Sequence, residues 1–247
     1  MKYVPFGTTW GVTVKLHLSA LRRFFDQLVL RHVIMLNPAA SVRVPKHSVI
    51  EGKTPALSVE QARRLLASIE TSHVVGLRDR AIIATLIYTA ARVGAVAKLR
   101  VQDYYADGHQ WWFRFDEKGG KARTIPARHD LELYIEEYVR AAEIEKDAED
   151  IPLFHSTIRK TKVLTPRALT ANDIYRMVKR RLRDAGLPSR YLSCHSFRAT
   201  AITDLLTQGV PLEDVQYLAG HSDPRTTRLY DRRQKQVTRN IVERISV

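Results

Sequence analysis

Leu18, Leu21, Phe25 and Leu28 recur at helical spacing near the start of the chain, predicting an amphipathic helix over Thr13–Val33. Lys15, Arg22, Arg23 and Arg31 lie off that apolar stripe. Asn37-Pro38 closes the segment, and Ser41 to Thr54 is polar, basic and without apolar period, as in a linker. Ser58 opens the next expected helix, running to Ile69, with Gln61 in capping-box spacing. Asp79 to Thr89 is largely apolar and predicts a core helix. The period then changes from helical to alternating. Trp111–Phe115 and Ala122–Pro126 have β-rich composition and flank E-K-G-G-K, which predicts a hairpin.

Beyond the hairpin the pattern is helical again. Asp130 to Asp150 carries nine acidic and two basic residues, the composition of a solvated helix face. Arg159 to Arg190 inverts that balance with ten Lys/Arg and two Asp, and Ile174, Val178, Leu182 and Ala185 mark the inner face of a helix capped by Gly186. His195 to Tyr230 then reads as three short helices in 36 residues. Gly209-Val210-Pro211 breaks the first from a second over Leu212–Leu218, Gly220 ends the second, and Asp223-Pro224 starts a third expected to carry Tyr230. Val237, Ile241 and Ile245 give the tail helical spacing. The fold class expected is mainly α with a small β-hairpin or sheet (α+β).

Charge narrows the partners. Lys+Arg number 40 against 26 Asp+Glu, a formal charge of +14 and a pI near 10.1, which points to a polyanion such as nucleic acid or an anionic membrane surface. No apolar run of about 18 residues is present, and the N-terminus lacks the apolar core of a signal peptide. Membrane partnership is thereby set aside in favour of nucleic acid. Cys194 is the only cysteine, so no internal disulfide can form, and a reducing, cytoplasmic setting is expected.

Candidate chemistry concentrates in the three-helix stretch. His195 and Arg198 are three apart and share a helix face. Tight turns return the third helix toward the first, so one surface presents two imidazoles, a guanidinium and a phenol. A guanidinium fork suits phosphate oxygens, and a phenol can attack phosphorus where charge on the non-bridging oxygens is neutralised. Upstream, Arg92 stands among small apolar residues in Tyr88–Arg100, where a charge is costly unless paired; taken alone it reads better as a surface arginine at a helix junction. The hairpin lysines do not form a Walker A motif, since neither G-x-x-x-x-G-K-[ST] nor a following helix is present.

These residues resemble the signature of the tyrosine recombinase (phage integrase) family: H-x-x-R, then G-H, then a tyrosine nine residues later. Here they are H-S-F-R at His195–Arg198, A-G-H at Ala219–His221, and Tyr230. The upstream T-G-x-R-like segment and hairpin lysine have counterparts in Arg92 and Lys118, six positions over about 140 residues. The resemblance implies a site-specific DNA recombinase (integrase) of mobile genetic elements, with catalytic residues Arg92, Lys118, His195, Arg198, His221 and Tyr230. Tyr230 forms a 3′-phosphotyrosyl link; Arg92, Arg198 and His221 attend the phosphate. His195 is the base and Lys118 the acid, with Lys121 as fallback on the same turn. No metal or nucleotide cofactor is called for. The partners implied are double-stranded DNA and a homo-tetramer on two duplexes.

It also implies a layout: residues 1–40 as a shortened helical core-binding segment, 41–55 as linker, and 56–247 as catalytic domain with a tail helix that docks on a neighbouring protomer. DNA contacts are expected from Arg22, Arg23, Lys121, Arg176, Lys179 and Arg180. One departure stands out: Ala95 occupies a position where the family often has an acidic residue. Two other readings share these residues, relaxation of supercoils in the manner of type IB topoisomerases, and a DNA-binding module with decayed catalysis.

Overall fold

The computed structural model describes residues 9–43, 54–117, 121–145, 150–158 and 161–231. The chain divides into two compact units, Met1–Ile50 and Glu51–Val247. Lys118, most of the expected linker (residues 44–53) and the tail with Val237, Ile241 and Ile245 lie outside the described residues.

The first unit holds one long helix, α1 (Thr9–Leu30), which starts and stops slightly before the expected span. Leu18 is buried and Phe25 and Leu28 are half-buried, while Leu21 is exposed. Arg22 turns inward on the loop that follows. Its Nε donates to the Ala39 carbonyl at 3.0 Å and its Nη2 to the Val42 carbonyl at 2.6 Å. Asn37 answers by donating to the Arg22 carbonyl and to the Asp26 carboxylate.

The second unit is built around α3 (Val74–Tyr88), flanked by α5 (His129–Ala141) and α7 (Cys194–Thr207). Before it comes α2 (Val59–Ala67), with the Ser58/Gln61 capping box formed in both directions. The core helix was expected to begin at Asp79, but α3 begins at Val74. Arg78-Asp79 looks like a polar boundary in sequence and is instead a buried ionic node. Asp79 is fully buried and accepts from Arg78 at 2.7 Å, from Arg181 at 2.7 Å and from Arg180 at 3.2 Å. Arg180 and Arg181 belong to α6 (Ala171–Asp184), so the node ties α3 to α6. On α6, Ile174, Val178 and Leu182 are buried and Gly186 takes a left-handed φ of 67° past the helix end.

Two antiparallel sheets complete the unit. The first has the order β1 (Tyr104–Asp107), β2 (Gln110–Glu117), β3 (Lys121–Pro126), so the expected hairpin gains a third strand. Its register sets Phe113 against Ile125 and Phe115 against Arg123. Phe113 and Phe115 are fully buried, so the inward face of β3 carries Arg123 as well as Ile125. The second sheet pairs β4 (His155–Thr157) with β5 (Leu164–Ala168), strands too short to show a period in sequence.

The end of α3 positions the chemistry. Ala90 adopts φ 49°, a left-handed conformation that turns the chain sharply out of α3. Arg92 follows as the N-cap of α4 (Val93–Val96). Ala95 is buried in the core. After α7 come α8 (Leu212–Ala219) and α9 (Pro224–Arg228). Tyr230 was expected on the third helix; it lies just beyond α9, in a turn whose N–H bonds the Thr227 carbonyl at 3.0 Å. Five residues from Pro224 give too few helical hydrogen bonds to carry the helix further.

Candidate active site

The Tyr230 hydroxyl lies 3.0 Å from His195 Nε2. Its ring stacks on the His221 imidazole, centroids 5.9 Å apart and planes 11° from parallel. Local structure fixes each partner. Gly220 ends α8 at φ 62°, and the next residue, His221, is pinned twice by Gln216: its N–H donates to the Gln216 carbonyl at 3.1 Å, and Gln216 Nε2 donates to its carbonyl at 2.9 Å. His221 Nδ1 faces the buried Thr227 hydroxyl at 2.9 Å, which reserves Nε2 for a ligand. Thr203 of α7 donates to the Tyr230 carbonyl at 3.2 Å, tying the tyrosine turn to the helix that carries His195.

Arg198 is 2% exposed. Its Nη1 donates to the Ala90 carbonyl and its Nη2 to the Ala219 carbonyl. These bonds draw the Arg92 turn and the His221 turn onto α7. A guanidinium has five N–H donors, so the two carbonyls do not exhaust it. Arg92 is exposed. Its charge is felt at His195, Arg198, His221 and Tyr230 alike.

The electrostatics favour an anionic ligand. Burial, reinforced by Arg92 and Arg123, pulls Arg198 down to about 10. Burial first, then the Arg198 and Arg92 guanidiniums, with smaller contributions from His195 and Arg123, pull His221 down to about 4. His195 is lowered by burial first and then by Arg198 and Arg92, so it is a neutral imidazole at pH 7. Tyr230 is raised by burial, which outweighs Arg198 and Arg92, so its phenol keeps its proton until a base takes it. A neutral imidazole in contact with a protonated phenol, ringed by guanidiniums, can receive a proton as the phenol oxygen attacks.

Of the residues named from sequence, His195, Arg198, His221 and Tyr230 come together here, and the charge of Arg92 acts on all four. Lys121 opens β3 opposite Glu117. The expected DNA contacts fall elsewhere. Arg23 is exposed on α1, whereas Arg22 is engaged with its own loop. On α6, Arg176 is exposed, Lys179 donates to the Ser189 carbonyl, and Arg180 shares Asp79. Thr227 and Arg123 were not anticipated. Thr227 gives no signal as a lone threonine; Arg123 could have been flagged as a charge at an inward position of an alternating strand.

A sequence profile of the phage integrase family matches residues 55–237, about three quarters of the chain. The chain belongs to the phage integrase family. It is a tyrosine recombinase by that membership. The XerD tyrosine recombinase of Listeria monocytogenes (strain F2365) is 27% identical over 226 residues, 88% of this chain and 70% of the relative. A post-cleavage complex of the XerH site-specific recombinase superposes with TM-score 0.64 at 25% identity, covering 79% of this chain. The chain spans only about half the length of that XerH protein, 53%. A lambda integrase tetramer bound to a Holliday junction shares the fold, with TM-score 0.62 at 19% identity over 92% of this chain and 62% of that one. Among the described residues no helix is long and apolar enough to cross a membrane.

Proposed function

We propose that this phage integrase family member cleaves and rejoins double-stranded DNA at specific sites, with Tyr230 as nucleophile. One observation carries the assignment of roles: the phenol sits 3.0 Å from His195 Nε2, with its ring stacked on His221 and the charges of Arg198 and Arg92 acting on it. The Tyr230 oxygen bonds to the scissile phosphorus as the bond from phosphorus to the 5′-oxygen breaks. The phenolic proton passes to His195. The leaving 5′-oxygen takes a proton from Lys118, with Lys121 as the substitute. Arg92, Arg198 and His221 hold the non-bridging oxygens and offset the charge that grows there. The ester keeps the bond energy, so a 5′-hydroxyl from a second duplex reverses the step and exchanges strands.

Strand exchange between two duplexes calls for four protomers, two on each, and this is the assembly we assign to the complete complex. Residues 1–40 serve as the helical arm on the duplex, 41–55 as linker and 56–247 as the catalytic domain. The setting is the cytoplasm. Arg23 and Arg176 are the stronger of the expected phosphate contacts, since Arg22, Lys179 and Arg180 already serve intramolecular partners.

A library of nicked duplexes with a randomised core tests the proposal. Covalent protein–DNA adducts are isolated on a denaturing gel and the captured DNA is sequenced. Wild-type protein is expected to capture related sequences through a 3′-phosphate and to yield joint molecules when two such duplexes are mixed; Tyr230→Phe is expected to capture none. Equal capture by Tyr230→Phe sinks the assignment.

A further inference from the structure

Arg123 belongs to β3, and no element of the recombinase signature accounts for it. It is 7% exposed. Its Nη1 donates to two carbonyls, that of Thr89 at 3.3 Å and that of Leu218. Arg198 donates to the next residue of each pair, Ala90 and Ala219. Two guanidiniums, one from the sheet and one from α7, therefore bridge the same two chain segments at adjacent residues. Those segments end in Arg92 and His221, each a few residues downstream.

We infer that Arg123 is a positioning residue of the recombination site: it locks the Arg92 turn and the His221 turn at the spacing a phosphate needs, and it adds its charge to the field at that phosphate. The inference rests on the function proposed above for Tyr230.

Further facts favour this role over simple packing. A charge buried to this degree is costly, and an apolar residue opposite Phe115 would fill the inward face of β3 without that cost. Burial first, and then Arg92, hold Arg123 down to about 10, so the residue is placed against a like charge and remains cationic at neutral pH. Its field is felt at Arg198 and at His221, the groups assigned to the non-bridging oxygens. A cluster of like charges is unfavourable when empty and favourable when an anion enters it. The Arg123 guanidinium also lies 5.4 Å over the Phe115 ring, which fixes its plane. Ala95 removes a carboxylate that the family often has beside Arg92; the carbonyl clamps at Thr89 and Leu218 supply fixation of the Arg92 turn from another direction.

The test uses the nicked duplex that wild-type protein captures best, in two forms. One has the ordinary scissile phosphodiester; the other has a methylphosphonate there, in which a methyl group replaces one charged oxygen. Single-turnover adduct formation is measured at saturating protein for wild type, Arg123→Lys and Arg123→Met, with duplex affinity followed by gel shift. On the phosphodiester, Arg123→Met is expected to be slower by about 10- to 100-fold, in the range of lost transition-state donors, with affinity within about twofold of wild type. On the methylphosphonate that deficit is expected to shrink to about threefold or less, because there is less charge to offset. Arg123→Lys is expected to fall between. An equal deficit on both substrates, an inert methylphosphonate in Arg123→Met, a deficit explained by weaker DNA binding, or no deficit overturns the inference. If Arg123→Met melts below the assay temperature, the same comparison is read from Arg123→Lys. Failure of wild-type protein to form any adduct strikes the Tyr230 proposal instead.

Discussion

Thr227→Val removes one hydroxyl from beneath the active site and replaces it with a methyl group of nearly the same size. Thr227 is fully buried, and its Oγ1 is 2.9 Å from His221 Nδ1. For His221 Nε2 to donate to a phosphate oxygen, Nε2 must carry the proton, so Thr227 must donate to Nδ1. The valine abolishes that donation and leaves a mostly buried ring nitrogen without its partner. The net loss of a neutral hydrogen bond is about 1 kcal/mol, and an unsatisfied buried acceptor raises the cost to about 2. For a protein of this length that corresponds to a fall in Tm of roughly 4–8 °C. The rate should fall further than stability accounts for, because the imidazole is free to take the other tautomer and to rotate away from Gly220. About tenfold slower adduct formation on the nicked duplex is expected at a temperature where the variant is fully folded, equivalent to about 1.4 kcal/mol. Thr227→Ser keeps the hydroxyl and should recover most of the rate. A Thr227→Val protein as fast as wild type, or a Thr227→Ser protein as slow as the valine variant, refutes the tautomer argument.

Four other outcomes follow from the same geometry. Asp79→Asn leaves the buried Arg78 and its α6 partners without their carboxylate and should cost about 3–5 kcal/mol in denaturant unfolding; a loss under about 1 kcal/mol contradicts the node's role. His221 is held near 4 against an ordinary 6.5, so the unfolded chain takes up the proton first and stability is lost as pH falls from about 6.5 toward 4. That gap is worth at most about 3 kcal/mol, nearer 1–2 after solvent screening at this pocket, and urea unfolding at pH 7.5 and 5 should show a shallower acid loss in His221→Gln. Ala90→Gly relieves a left-handed alanine, about 1 kcal/mol of strain, partly offset by the freer unfolded chain, so Tm should hold or rise by about 1–2 °C; a drop of more than about 1 kcal/mol would show that the turn is unstrained. Sulfate at about ten times its Kd should stabilise the free protein by about 1.4 kcal/mol beyond sodium chloride of equal ionic strength, and Arg92→Gln should remove most of that difference.

Part of this was legible in the chain because catalysis constrains residue type and local spacing together. His195 and Arg198 share the start of α7, Gly220 turns His221 inward, and Asp223-Pro224 brings Tyr230 back toward His195, all within one stretch read directly from turn and cap chemistry. What stayed hidden depends on partners distant in sequence. The start of α3 was misplaced because Asp79 is neutralised by Arg180 and Arg181, about a hundred residues away. Arg123 gained its place from a cross-strand pairing with Phe115 and from carbonyls of two unrelated turns. The inward orientation of Arg22 likewise follows from a loop whose carbonyls need donors, which charge counting along α1 does not reveal.

The placement of these cations also says where the energy of phosphate binding comes from. Arg198 and Arg123 are anchored on backbone carbonyls, which accept hydrogen bonds but carry no net charge. A carboxylate in their place would hold the side chains equally well and would neutralise the field. With its carbonyl anchors the Arg198 guanidinium is fixed in geometry yet keeps its charge for an incoming anion. The cost appears as the downward shifts of Arg198, Arg123 and His221, and it is relieved when a phosphodiester enters. The contrast with Asp79 lies within the same chain: there three arginines converge on a carboxylate that offsets part of their charge, and the result is a strut between α3 and α6. Whether an arginine cluster is a site or a strut is thus decided by the acceptor that holds it.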